Sequence, residues 1–481
     1  MAIYLNETDA TFNDCKFIDT YLNIYSNSSN SVFFKSCKFK LSIKQLKLHK
    51  QLINIIKYSQ IVFTDCQFKN ISQTIRSLQL LLNISDTKIN YFINCSFQHI
   101  NGIAILKVTE SKNSVFYGCL FSSIGPEVLQ KQSSLLIQQF NVHKTTISNC
   151  SLHNITSFII DIKGTRTIQI RHSRFSIIKN NEKGFLNIMF KFILQNLNAS
   201  IYECVFSHCA SFHGAGAVYL HHERIKWRSR KLLKKFKHQN NITLYVKNSK
   251  FQKCNSIKHV DKSQCSHNHD IGAYGALSID FYDRIHHTIF VLSNSVFLEN
   301  HTPCHGGAVY TQQTMDQIKI EDVWLEENSA NSGGAICINS VGVVDIINVT
   351  FYRNFAETGG ACYIGNGDKV KSKLIKCVKN SALGRGGCVM FFNVDYVENS
   401  LCKFINNKAS TGGGMFVKLS EEITNYNISF THNTAIRRGG AICVASTSRT
   451  KLTNIRCVFF YNRLVGIHYH YINDGGGAIS F

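Results

Sequence analysis

The stretch Phe351-Tyr-Arg-Asn354-Phe-Ala-Glu-Thr-Gly359-Gly360-Ala361 decides the fold, because its grammar returns on both sides at a nearly fixed interval. Paired glycines followed by a small residue stand at Gly306-Gly307-Ala308, Gly333-Gly334-Ala335, Gly359-Gly360-Ala361, Gly386-Gly387-Cys388, Gly412-Gly413-Gly414 and Gly439-Gly440-Ala441, spaced by 26 or 27 residues. Gly475-Gly476-Gly477-Ala478 follows after a longer gap. An Asn precedes each evenly spaced pair, giving Asn300, Asn328, Asn354, Asn380, Asn407 and Asn433, and Asn462 continues the series. Three residues before each Asn lies an apolar anchor: Phe297, Leu325, Phe351, Cys377, Phe404, Phe430 and Phe459. A period of this length cannot close a core by itself, so the repeat predicts stacked coils that make a core only as an array.

Stacking explains the residue choices. In a coil of short parallel strands each position lies above its own copy, about 4.8 Å away. Phe then packs on Phe, Asn amides bond to the next Asn or to turn backbone, and Gly-Gly forms a corner where a Cβ would meet the neighbouring coil. The N-terminal half keeps the period in other words, with an apolar-x-x-Cys-x-Phe unit from Phe12 to Phe17, Phe34 to Phe39, Phe63 to Phe68, Phe92 to Phe97 and Phe116 to Phe121. Cys and the aromatic are two apart and share the inner face, leaving Lys16, Lys38, Gln67 and Ser96 outside. One anchor per coil gives about sixteen coils, roughly 75 Å of axis at the strand spacing of sheets.

At Phe-x-x-Asn followed by Gly-Gly-Ala, over Ser293 to Phe481, the sequence resembles the repeat of the polymorphic outer-membrane proteins; the N-terminal half resembles it weakly. Similar repeats occur in large protist surface proteins. The resemblance implies an all-β, right-handed parallel β-helix of the pectin-lyase-like kind, displayed at a cell surface, with adhesion as its usual role.

Only 2 of 481 residues are Pro and no Pro/Ser/Gly-rich linker occurs, which predicts one body over 1–481: Cys-x-Phe coils over 1–292 and Phe-x-x-Asn coils over 293–481. Two segments break the pattern and read as side insertions. One is near 40–59, where Ile43, Leu46, Leu48, Leu52, Ile55 and Ile56 suggest a short helix; the other, near 221–239, is strongly basic. The hydrophobic share of 44% excludes disorder along most of the length. No run of 18 apolar residues and no signal peptide is visible, so no membrane span is expected in this chain and any anchor is expected outside it. The last coil reads as incomplete and uncapped, so a longer array is expected. The formal charge of +23 favours anionic partners, although nucleotide composition bias would also enrich Lys and Asn.

The candidate sites follow from this frame. Arg224, Lys226, Arg228, Arg230, Lys231, Lys234, Lys235 and Lys237, interleaved with Trp227 and Phe236, are a candidate for phosphate or sulfate binding or a solvated loop. Cys265, His267, His269, Asp270, His301, Cys304 and His305 carry zinc-ligand chemistry in no familiar spacing, so a His-rich loop or a Cys265 to Cys304 disulfide is preferred. The 18 cysteines read as a largely reduced ladder, with Cys209, Cys254, Cys265 and Cys304 the ones expected to pair. The acidic pairs Asp280 with Asp283 and Glu321 with Asp322 do not recur on a neighbouring coil, as polysaccharide lyase or hydrolase chemistry would require. Sequons at Asn94 and Asn149 precede an inward Cys and are expected to be exposed, whereas Asn300 is expected to be buried. The reading is a non-enzymatic surface or extracellular rod without a cofactor, taking a glycan or another surface protein as partner. The alternatives are a carbohydrate-active enzyme on a β-helix and an anion-binding module at the basic insertion.

Overall fold

The computed structural model describes all residues except 1, 7, 19, 27–29, 41–50, 73–79, 102–103, 126–136, 157–159, 181–185, 191–196, 212–213, 223–240, 257–264, 266–273, 281–286, 446–449 and 466–475. Every strand pairing seen between the described residues is parallel, and no described residue is in an α-helix, so the fold is an all-β parallel solenoid. The described turns number about 13, slightly fewer than the sixteen expected from the anchors. The chain divides into two compact units, Met1–Cys209 with Leu220–Trp227, and Ala210–Tyr219 with Arg228–Phe481.

In the first unit each strand pairs in register with the third strand after it. The anchor column runs Phe17, Phe39, Phe68, Phe97, Phe121, Leu152 and Phe175 through successive pairings. A second aromatic column, Phe12, Phe34, Phe63, Phe92 and Phe116, stacks with centroids 4.6 to 5.2 Å apart. Stacked rings at rung spacing fill the interior without gaps, worth about 1 kcal/mol per pair beyond the area they bury. Leu52, Ile53 and Ile55 correct the helix expected over 40–59. Gln51–Ile56 is a strand in register with Leu22–Tyr25 and Leu80–Ser85, because these apolar residues fill a rung that the neighbouring coils leave open. Residues 41–50 of that segment, and 223–239 of the insertion expected near 221–239, lie outside the described residues, while His221 and His222 close the strand Val218–His222.

In the second unit the anchors Phe251, Phe297, Leu325, Phe351, Cys377, Phe404, Phe430 and Phe459 pair in one register. Beyond the Asn corner a separate five-stranded sheet carries Phe355–Thr358, Ser381–Arg385, Lys408–Thr411, Thr434–Arg438 and Arg463–Leu464. Its inward positions, Ala356, Ala382, Ala409 and Ala435, are small and buried. The second glycine of each pair lies against the next coil: a Cβ on Gly360 would overlap the carbonyl oxygen of Gly387, and one on Gly387 that of Gly413. The first glycine sits in the left-handed region, as at Gly359 with φ 59°.

Candidate functional site: ladders, corners and a buried polar cluster

The corner before each Asn is made by a residue in the left-handed conformation: Glu299, Glu327, Arg353, Lys379, Asn406, His432 and Tyr461 all have φ between 50° and 56°. That turn aims the following side chain into the solenoid. Asn300, Asn328, Asn354, Asn380, Asn407 and Asn433 are consequently fully buried. In Asn328 the Nδ2 donates to Asn354 Oδ1 at 3.0 Å and to the Phe297 carbonyl at 3.1 Å, while its Oδ1 accepts from the N–H and Nδ2 of Asn300. Asn354, Asn380, Asn407 and Asn433 repeat this, and Asn462 accepts from Asn433. Both amide protons and both lone pairs are thus satisfied, which is the condition for burying an amide. The ladder supports the corner and offers no open polar group to a ligand.

The first unit has the same corner with different contents. Asn70, His99, Ser123, Asn154 and Ile177 are left-handed, and Ile71, Ile100, Ile124, Ile155 and Ile178 follow in the inward slot. Sequence reasoning missed this equivalence; the Asn, Ser and His at those positions were the available signal.

A further left-handed residue precedes each inward Cys, including Asp14, Ser36, Asp65, Asn94 and Asn149. Cys37, Cys66, Cys95, Cys119 and Cys150 are buried thiols whose Sγ donates to the carbonyl of the aromatic one coil back, Cys37 to Phe12 at 3.2 Å and Cys119 to Phe92 at 3.3 Å. Burial pushes the Cys37 thiol up to about 11. A thiol so raised is a poor nucleophile. Asn94 and Asn149 themselves are exposed, whereas Asn300 is not.

Cys265 and Cys304 form a disulfide. This uses both thiols of the zinc candidate. His301 Nδ1 lies 2.8 Å from Ser329 Oγ, and His305 Nε2 lies 3.1 Å from the Cys265 carbonyl, with burial holding both imidazoles below their usual range. His267, His269 and Asp270 lie outside the described residues, and among the described residues no three His, Cys, Asp or Glu are grouped to hold a metal ion. Cys209 and Cys254, expected to pair, instead carry thiols that donate to the Ser207 and Gln252 carbonyls, because they occupy the slot filled elsewhere by Ile or Asn. The second disulfide, Cys377–Cys388, was not foreseen. It spans an anchor position and the small residue of a Gly-Gly corner, the places held by Phe404 and Gly414 one coil on.

The acidic candidates have defined partners. Asp280 is buried and accepts from Tyr219 Oη at 3.3 Å, in a cluster where Tyr274 stacks on Tyr310 at 4.4 Å and Tyr310 Oη donates to Gln312 Oε1. Glu321 pairs with Lys319 and Asp322 accepts from Asn348 Nδ2. Asp283 and the cations Arg224, Lys226, Arg228, Arg230, Lys231, Lys234, Lys235 and Lys237 lie outside the described residues. No helix among the described residues is long and apolar enough to cross a membrane, which leaves β-barrel insertion unaddressed.

Residues 427–445 match the family model of the Chlamydia polymorphic membrane protein repeat. They span one rung: anchor Phe430, ladder residue Asn433, the strand Thr434–Arg438, the pair Gly439-Gly440 and the strand Ile442–Ala445. The chain's sequence matches no curated protein. The chain therefore carries a repeat of the chlamydial polymorphic membrane protein type, set in a parallel β-solenoid.

Proposed function

We propose that the protein is a non-enzymatic repeat protein of a cell surface or extracellular space, in which the solenoid is a scaffold for adhesion. The observation that carries this reading is the division of labour between the two sides of each coil. The inward amides of the Asn column are consumed by one another and by backbone carbonyls, and the buried carboxylate of Asp280 accepts from a tyrosine. The outward columns repeat at rung spacing, which suits a surface built to be touched by a partner. The repeat at 427–445 supports the surface setting, since the family it matches is one of membrane proteins by description. A glycan or another surface protein is the partner this reading implies.

The test is protease treatment and antibody labelling of intact cells, followed by adhesion of beads coated with the purified protein to host or neighbouring cells. Labelling at the surface together with bead adhesion above that of uncoated beads is the expected outcome. Labelling only after permeabilisation would overturn the location, and hydrolysis or β-elimination of a polysaccharide by the purified protein would overturn the non-enzymatic assignment.

A further inference from the structure

In the second unit one side of three successive coils carries no carboxylate. Residues 376–385, 403–411 and 429–438 contain no Asp or Glu, yet they place Lys376, Lys379, Arg385, Lys403, Lys408 and Arg437 in solvent. The ion pairs of this unit, such as Arg353 with Glu327, Lys369 with Glu398 and Lys451 with Glu422, lie off this strip. Lys376 and Lys403 are direct register partners on adjacent strands, an arrangement of like charges that is unfavourable unless an external anion relieves it.

The cations are also ordered. One column of the five-stranded sheet reads Ser381, Lys408, Thr434 and Arg463, and another reads Arg385, Thr411 and Arg438. Hydroxyl and cation alternate in both. Each cation therefore recurs every second rung, about 9.6 Å along the stacking direction, a repeat comparable with that of an extended two-sugar unit. Arginine forks suit sulfate and carboxylate groups, and hydroxyls between them can bond to further oxygens. The Arg385 guanidinium lies over the Phe416 ring at 5.5 Å, which orients the fork.

The shape selects among anionic ligands. The strip wraps the corner at Lys379-Asn380, where Asn380 is buried inside and Lys379 stands outside, so its exterior is convex. A planar lipid surface meets only the ridge. Single-stranded nucleic acid relies on stacking on aromatic side chains; in these three segments Phe404 and Phe430 are buried inward, and the exposed ring, His432, is already stacked on Tyr461 at 5.3 Å.

We propose that this strip binds a linear sulfated or carboxylated polysaccharide laid along the stacking direction of the second unit's coils. It is distinct in sequence from the basic run at 224–237, and it names a ligand class for the surface role proposed above, on which its biological setting rests.

The experiment uses the full chain, with heparin and polygalacturonate as probes and duplex DNA and phosphatidylserine vesicles as comparators. The strip variant carries Arg385→Gln, Lys408→Gln, Arg438→Gln and Arg463→Gln. The control removes the same number of charges elsewhere in the unit, with Lys247→Gln, Lys369→Gln, Lys371→Gln and Lys373→Gln. Salt-dependent binding of one polysaccharide, weakened about tenfold or more by the strip variant and by no more than about twofold in the control, is the expected result, with a shallower salt slope as contacts are removed. Equal loss in both variants, absence of polysaccharide binding, or tighter binding to DNA or vesicles would overturn the proposal. These assays do not depend on compartment: binding by a protein inaccessible on intact cells overturns the surface role alone, and no binding by an accessible protein overturns the ligand alone.

Discussion

Replacing Asn354 by Ala tests whether the ladder holds the second unit together. Asn354 donates from Nδ2 to the Leu325 carbonyl and to Asn380 Oδ1, both at 3.0 Å, and its Oδ1 accepts the N–H of Asn328 at 2.9 Å and the Nδ2 of Asn328 at 3.0 Å. The substitution leaves four partner groups short of a bond at a site with no solvent exposure. At about 1 kcal/mol for each such group, the loss is about 4 kcal/mol, in the range reserved for broken buried networks. Asn462→Ala removes three bonds of the same kind, to Asn433 N–H, Asn433 Nδ2 and the Phe430 carbonyl, but at a half-buried rung where water can replace them. It is expected to cost about 1 kcal/mol. Urea titration followed by circular dichroism, with the m-value checked for constancy, measures both. The reasoning is falsified if Asn354→Ala shifts the midpoint no further than Asn462→Ala, because burial and saturation would then contribute nothing.

Four other expectations follow. Gly360→Ala forces a Cβ into the Gly387 carbonyl and should lower stability by about 2 kcal/mol or more, whereas Ser410→Ala on the same face of the solenoid should stay within about 0.5 kcal/mol; thermal melts compare them. Cys377→Ala should be destabilising, yet Cys377→Phe with Cys388→Ala should restore most of the loss, since Phe351 and Ala361 fill those places one coil back; non-reducing peptide mapping should recover the Cys265–Cys304 and Cys377–Cys388 linked peptides. Burial pushes the Cys402 thiol from 9.0 to about 11, so the unfolded chain loses that proton first. Its contribution is full below pH 9 and is lost as pH rises towards 11, and Cys402→Ala should flatten the stability profile in that window by up to about one proton. If the protein is secreted through a glycosylating route, glycan mapping should find Asn94 and Asn149 modified and Asn300 bare; a glycan on Asn300 would contradict its burial.

The repeating part of the fold was legible because each rung imposes the same inward choice. Phe351, Asn354 and Gly359-Gly360 sit where their spacing places them, as do the inward Cys and Phe of the N-terminal half. The corners were harder to read. Left-handed conformation falls on Glu299, Lys379, Leu374 and Ile177 as well as on Asn and Asp, since the stacked neighbours fix the turn and override local preference. Ile71 and Asn328 therefore looked like different grammars although each follows the same kind of corner. Gln51–Ile56 was misread because Leu52 and Ile53 are both buried, which blurs the alternation of a strand. Cys377 was read as an anchor alone because its partner, Cys388, stands in a slot otherwise held by Ala or Gly.

The Asn ladder also has a direction. In every amide-to-amide bond the Nδ2 donates to the Oδ1 of the Asn on the rung that follows in sequence, from Asn300 through Asn433. Turning one amide over would set oxygen against oxygen on one side and N–H against N–H on the other. No single side chain can reorient without its neighbours, so the amides share one orientational state, and their aligned dipoles polarise one another along the row. The second unit thus contains a chemically identical column whose two ends differ, one acceptor-rich and one donor-rich. A coil can join such a column in only one sense.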